Sequence, residues 1–427
     1  MASAALNTVA YQPASELYLW WLSQPERPLL IGTLKLIRAR QGVSLRYAAT
    51  WLQNGFALSE DLPLIDMEFL PAVKESAAGA VDDARPDRWG ERVIRFLDQP
   101  PRLSLLEFLF YAGDERFGAL GVSVSAATYQ PRWFGPLPEL SDVAAIDRLV
   151  RQVLAGDAVA AEEYRLIAPG VTLGGARPKA LLNLDGHPWI LKFNEPGEAL
   201  DMPLIEHASM TLAAQAGIRV AQTRAIQLPL GVPGSGQSTI RHAVAVRRFD
   251  REAGKRRHAL SAHVALRAAG EVMGYPELAQ LLRRRGATLD RQNQAQMREL
   301  FCRMVFNILI DNTDDHEKNH VLLMNDRGEY ELSPAFDVLP SGQALGYQQL
   351  RVGADMGDST LGNALSEASQ FGLSKVEAKQ EIGRVARVVL GWREHFAAAG
   401  ISQADLASLA LQIDRRFLLA QRQQALL

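Results

Sequence analysis

The apolar residues Met297, Leu300, Phe301, Met304, Val305, Ile308 and Leu309 recur at i, i+3, i+4 and i+7 spacing. That rhythm confines the stretch to a helix carrying a single apolar stripe, and a stripe needs a core to face. The stripe runs out at Asp311-Asn312, so the next segment, NTDDHEKNH over 312–320, leaves a firmly packed element as a loop. Beyond it, His320 to Met324 and Glu329 to Leu332 read as strands around a turn at Asn325-Asp326-Arg327-Gly328. A hairpin returns the chain to its start, which brings Asp337 of SPAFDVLP beside Asn319.

Upstream the pattern changes. Residues 1–150 mix strand-like pieces (Leu17 to Trp21, Leu29 to Ile37) with loops rich in Pro, Gly and Asp and a helix near Trp89 to Leu97, which reads as an α+β module. Residues 151–250 form a second span. There Ala180 to Leu184 and Trp189 to Phe193 flank the turn Asp185-Gly186-His187-Pro188, Pro203 opens a helix that Gly217 ends, and Ala243 to Val246 reads as a strand. The third span, 251–427, is mainly helical, with Ser374 to Glu377 and Ser402 to Asp405 reading as capping boxes.

Composition narrows the class. With 427 residues, 48% hydrophobic and 22% charged, the chain can bury two or three proper cores, which excludes disordered and fibrous classes. A net charge of −2 argues against holding nucleic acid by bulk electrostatics, so a DNA role needs a partner. The one cysteine, Cys302, permits no internal disulfide and lies in the helical stripe as a packed thiol. The first residues lack a secretory pattern and no run of membrane-spanning length occurs, so the expected location is the cytoplasm.

The loop carries the chemistry. Asp314 and Asn319 are five apart, the separation found in the protein-kinase catalytic loop between its base and a magnesium ligand, and Asp337 adds a second oxygen ligand. Magnesium prefers a few protein oxygens together with phosphates and water, which suits this set. Asp314 accepts the proton of an attacking hydroxyl or orients it. A metalloenzyme reading of His316 and the two aspartates lacks H-E-x-x-H or comparable ligand spacing.

The phosphate side lies in VTLGGARPKALL, 171–182. Gly174-Gly175 lets backbone approach a phosphate, Ala176 and Arg177 continue the loop, and Lys179 leads into the first hairpin strand. Lys192, amid Ile190, Leu191 and Phe193, either points into a cleft or protects an edge strand. Glu206, placed in the first turn of the Pro203 helix, either pairs with a strand lysine, as in kinases, or complements the helix dipole.

These segments in this order resemble the HipA family of bacterial serine/threonine kinases, the toxins of type II toxin–antitoxin pairs. The likeness spans nearly the whole chain: IGTL at 31–34, DDARPDRWG at 82–90, GDERFGAL at 113–120, the GGARPK loop and the D-x-H-x-K-N signature. The resemblance implies an α+β, two-lobed protein-kinase-like fold with a β-rich N-terminal lobe and a mainly α-helical C-terminal lobe. It implies ATP and Mg2+ in the cleft, with Asp314 as catalytic base, Asn319 and Asp337 on magnesium, and Lys192 on the α/β-phosphates. By the same resemblance His316 and Lys318 support the catalytic loop, Lys318 near the γ-phosphate, and Arg247, Arg248, Phe249 and Asp250 with Val246 connect the lobes and receive adenine. Implied partners are a small helix-turn-helix antitoxin of HipB type, which alone binds operator DNA, and a protein substrate of the aminoacyl-tRNA synthetase class.

Two departures bear on what carries over. The glycine-rich loop of the best-known form begins with an autophosphorylated serine, where this chain has Thr172, the candidate autophosphorylation site. The connection has Arg247 where an acidic residue is familiar. The basic runs Lys255-Arg256-Arg257 and Arg283-Arg284-Arg285 read as solvated faces or as contacts to nucleic-acid phosphates. A catalytically weak, antitoxin-binding co-repressor and a small-molecule phosphotransferase are the competing readings. The intact Asp314, Asn319 and Asp337 oppose the first, and the large N-terminal module opposes the second.

Overall fold

The computed structural model describes residues 7–167, 175–228, 241–341, 343 and 345–427. Compact packing divides the chain into two units, Met1–Pro196 with Arg247–Leu260, and Gly197–Val246 with Ser261–Leu427.

The first unit is built on a five-stranded antiparallel sheet in the order Glu68–Phe69, Gly42–Tyr47, Leu29–Ile37, Glu16–Trp21, Leu120–Ser123. Leu17, Leu19, Ile31, Leu34, Val43 and Leu45 are fully buried, and the helix Leu105–Tyr111 is buried along its whole length. Gly32 of the IGTL segment has to be glycine, because a Cβ there would lie 2.1 Å from the Arg46 carbonyl oxygen. The expected helix near Trp89 forms as Arg88–Val93 and widens into a π-helical turn over Ile94–Asp98.

A hairpin, Lys179–Leu184 with His187–Lys192, follows in the same unit. Its turn is tighter than the four residues expected: only Asp185 (φ 54°) and Gly186 (φ 75°) make it, as a type I′ turn demands. His187 and Pro188 fall within the second strand, Pro188 opposite Asn183. Proline has no N–H to donate, but its carbonyl accepts from the Arg248 amide at 3.1 Å.

The second unit contains the strand Thr223–Gln227 paired antiparallel with residues 242–246 of the strand His242–Arg247, the helix Met202–Gln215 and a body of further helices. At its centre stands Gln292–Leu309, flanked by Tyr275–Arg285 and Lys375–Leu390. From Leu300 onward every residue of the central helix is buried, so its C-terminal half is enclosed rather than merely striped. The polar members of that half have partners: Arg303 donates to the Ser333 carbonyl at 2.6 Å, and Cys302 donates to Glu381 at 3.3 Å. Burial pushes the Cys302 thiol up to about 12, which makes it the inert packed thiol expected.

The hairpin Val321–Met324 with Tyr330–Leu332 follows, turned by Asn325, whose side-chain oxygen accepts from the Arg327 and Glu329 amides. Ser374 and Glu377 form the reciprocal capping box expected. Ser402 caps its helix through the Asp405 amide, but Asp405 turns its carboxylate to the Asp201 amide instead, so the box is half made. Among the described residues no helix is long and apolar enough to cross a membrane.

Candidate active site

The loop after the central helix is sewn to it. Asn312 returns its amide to the Asn307 carbonyl at 2.9 Å and its side-chain Nδ2 to Asn307 Oδ1 at 3.1 Å. Asp311 adopts a left-handed φ of 60° and is held at 2.5 Å by Arg415, from the junction of the last two helices. Ser341 binds the Asp311 carbonyl through both its amide and its hydroxyl, and meets Thr313 Oγ1 at 2.7 Å. A backbone fixed from three directions can present one side chain reproducibly.

The two adjacent aspartates then diverge. Asp315 is buried, accepting from the Tyr275 hydroxyl and from His320 Nε2 at 2.8 Å. Burial alone would raise its pKa, but these partners more than offset it and hold the carboxyl below its usual range. Asp314 is exposed, and its Oδ1 accepts from Gln349 Nε2 at 2.8 Å. Its pKa is raised, first by partial desolvation; the charges of Asp337 and Asp315 add to this, while His316 and Gln349 oppose it. The charge of Asp337 is thus felt at Asp314.

His316 caps the short turn Glu317–Asn319 by accepting the Lys318 amide at its Nδ1, 3.2 Å away. Glu317 is tied to His263 at 2.9 Å, which brings its pKa down to about 2. Lys318 is exposed. Asn319 is buried, and its side-chain Oδ1 has no hydrogen-bond partner. A buried amide oxygen without a donor costs free energy unless something occupies it, and a hard cation is a fitting occupant. The cavity behind it, lined by Arg303, Asn307, Asp315 and His320 among others, holds only about 10 Å3, too little for a hydrated cation or a nucleotide. Asp337 itself sits at a left-handed φ of 57°, a conformation aspartate tolerates better than most residues. Among the described residues no three His, Cys, Asp or Glu side chains form a metal cage, so a metal here would complete its shell with non-protein oxygens.

In the first unit, Lys179 is buried and its Nζ is paired with Asp87 Oδ2 at 2.5 Å. Asp87 also caps the helix Arg88–Val93 through the Gly90 amide, and Trp89 Nε1 donates to the Lys179 carbonyl at 2.7 Å. Burial raises the Asp87 pKa against the pull of Lys179. DDARPDRWG thus anchors the exit of the glycine-rich loop. Gly175 has a φ of 93°, the left-handed backbone that glycine permits. Beside it Ala176 is exposed and Arg177 half-buried, whereas Thr172 and Gly174 lie outside the described residues. Lys192 is buried directly across the hairpin from Lys179, so it is no exposed edge lysine.

The segment 247–256 meets GDERFGAL. Arg248 forks onto both Asp250 oxygens (2.9 and 2.7 Å) and onto Glu115, Asp250 accepts the Gly118 amide at 2.8 Å, and Arg251 reaches the Arg116 and Gly118 carbonyls. Phe249 packs edge-on against Phe117, and Arg247 reaches His187 at 3.2 Å. The side chains of Arg248 and Asp250 and the Arg248 amide are thus engaged within this unit. The run Lys255-Arg256-Arg257 is not a uniform basic face, because Arg256 is buried against Asp114 at 2.7 Å. Arg283 and Arg284 instead bind the Gln370 carbonyl and Glu271 at the end of their helix.

Glu206 is corrected in one respect. The helix begins at Met202, so Glu206 falls in the second turn, buried, and the helix-dipole reading lapses. Sequence reasoning missed the roles of Asp87, Tyr275, His320, Gln349 and Arg415; of these, Asp87 and His320 lay in segments already singled out.

A model of the HipA-like C-terminal domain matches residues 171–392, and one of the HipA N-terminal domain matches residues 28–123. A search of curated proteins gave no match. Among solved structures, HipA of the Shewanella oneidensis MR-1 toxin–antitoxin system, in complex with HipB and its operator DNA, superposes with a TM-score of 0.62. That match covers 96% of this chain and 97% of that one at 17% identity. The Helicobacter pylori proinflammatory kinase CtkA gives a TM-score of 0.40 at 15% identity over 59% of this chain and 92% of its own. The α+β fold, with sheets dominating the first unit and helices the second, is that of HipA, and the chain belongs to the HipA-like family.

Proposed function

We propose that the chain is an ATP-dependent serine/threonine protein kinase of HipA type, the toxin of a toxin–antitoxin pair. The observation that carries this reading is the catalytic loop: an exposed Asp314 under the charge of Asp337, with the partnerless buried oxygen of Asn319 close by in sequence. When bound, ATP would supply the γ-phosphoryl group and Mg2+ would neutralise its phosphates, with Asn319 and Asp337 as the protein ligands. Asp314 orients the acceptor hydroxyl and takes its proton as the oxygen–phosphorus bond forms, while the bond to the β–γ bridging oxygen breaks and ADP leaves. A raised pKa suits a group that must both hold and release that proton.

Lys318 is assigned to the γ-phosphate and His316 to the loop's geometry. In the first unit, Gly174, Gly175, Ala176, Arg177, Lys179 and Lys192 are assigned to the phosphates, with Thr172 as the self-modified residue and 247–250 as the adenine-side backbone. Glu206 is assigned to nucleotide binding. The spans 1–150, 151–250 and 251–427 remain our functional division. A HipB-type antitoxin as partner is supported by the composition of the Shewanella complex, and a synthetase-class protein as substrate by family resemblance.

Incubation with γ-labelled ATP and Mg2+, alone and with cell extract, tests this reading. Label should enter Thr172 or an extract protein with the wild type and be lost at least a hundredfold in Asp314→Asn, within the roughly 10²–10⁴ range of general-base catalysis. Equal labelling by the two proteins would overturn the reading.

A further inference from the structure

Residues 345–360 form an ordered excursion in the second unit. Tyr347 bridges to Asp358, the Gln348 amide binds the Gly357 carbonyl at 2.6 Å, and Gln348 Nε2 binds Ser359 Oγ at 3.0 Å. Asn363 gathers the tip, donating to the Met356 and Asp358 carbonyls and accepting the Asp355 amide. Arg351 clamps Glu277 and Glu367 at 2.6 and 2.8 Å. Gln348, Leu350 and Val352 are buried while Tyr347 and Gln349 face outward, so the backbone fixes where Gln349 points. Its amide nitrogen must be the atom facing Asp314, because a carboxylate oxygen only accepts.

We infer that Gln349 is a positioning residue for phosphoryl transfer, holding Asp314 by Oδ1 so that Oδ2 alone meets the acceptor hydroxyl. The inference rests on the kinase reading of Asp314. An exposed aspartate without this bond rotates about its terminal torsion, and a misplaced base forfeits rate without loss of nucleotide affinity. None of the hydrogen bonds that order the excursion uses the Gln349 side chain, so replacing it leaves the platform standing.

The test compares full-length wild type, Gln349→Ala, Gln349→Glu and Asp314→Asn in transfer from γ-labelled ATP with Mg2+ to the protein itself and to casein. Melting temperatures establish that each variant is folded. Gln349→Glu keeps the shape but, ionised, cannot donate to Asp314. The expected result is a roughly tenfold or greater loss of kcat in both Gln349 variants with KM for ATP within about twofold of wild type. Wild-type kcat in Gln349→Glu, or an effect confined to KM for ATP, would overturn the inference while Asp314→Asn still upholds the kinase reading. No transfer by the wild type would remove that reading and the inference with it.

Discussion

Asp314 and Asp315 are neighbours in sequence with different work to do. Asp315 is spent on Tyr275 and His320, and removing it strands two buried polar groups. Asp315→Ala should therefore destabilise the protein by about 3 kcal/mol, seen as a lowered unfolding midpoint in urea, whereas Asp314→Asn should leave that midpoint nearly unchanged. The D-x-H-x-K-N spacing pointed to Asp314 as the candidate base; that Asp315 is engaged by Tyr275, forty residues upstream, was not legible. His258 supplies a pH signature. It is buried, its Nε2 bonded to the Leu58 carbonyl, and burial brings its pKa from 6.5 down to about 4. Because the unfolded chain takes up the proton first, this residue's contribution is intact above pH 6.5 and is lost progressively as pH falls to about 4. Melting temperature should decline through that window, and less steeply in His258→Gln.

Elements with strong local signals were the legible ones. The strand Leu29–Ile37, the striped helix and the hairpins rest on periodicity and turn chemistry that act within a few residues. The Ser374 box is equally local, and Ser374→Ala should cost about 1 kcal/mol, measurable as a shift in urea midpoint. Where sequence reading slipped, a distant partner had intervened. Pro188 lies in a strand with its carbonyl accepting from the Arg248 amide, and Asp405 turns from its own helix end to the Asp201 amide. Glu206 moved from first turn to second because the helix starts before its proline rather than at it.

At the scale of the molecule, the division into units was not legible, because residues 247–260 return to the first unit after a long absence. That return is held by charge: Asp114, Glu115, Arg248, Asp250, Arg251 and Arg256 satisfy one another in a buried network. Cutting it out strips Asp114 and Glu115 of their arginines and the Gly118 amide of its acceptor, a penalty that a small domain cannot absorb. A fragment ending at residue 196 should lack a cooperative thermal transition, and fusing 247–260 to it through a flexible linker should restore one. Retention of a sharp transition by the shorter fragment would show the network to be dispensable.

The Arg415–Asp311 contact gives the segment joining the helices Gln403–Ile413 and Arg416–Gln424 an unexpected weight. Arg422 adds to it by donating to the Leu309 carbonyl at 3.3 Å. A frameshift or early stop after codon 413 would spare every recognisable motif, yet would free the helix end from which the 312–320 loop departs. Sequence surveys that score such alleles as intact by their motifs would count silent copies as working ones.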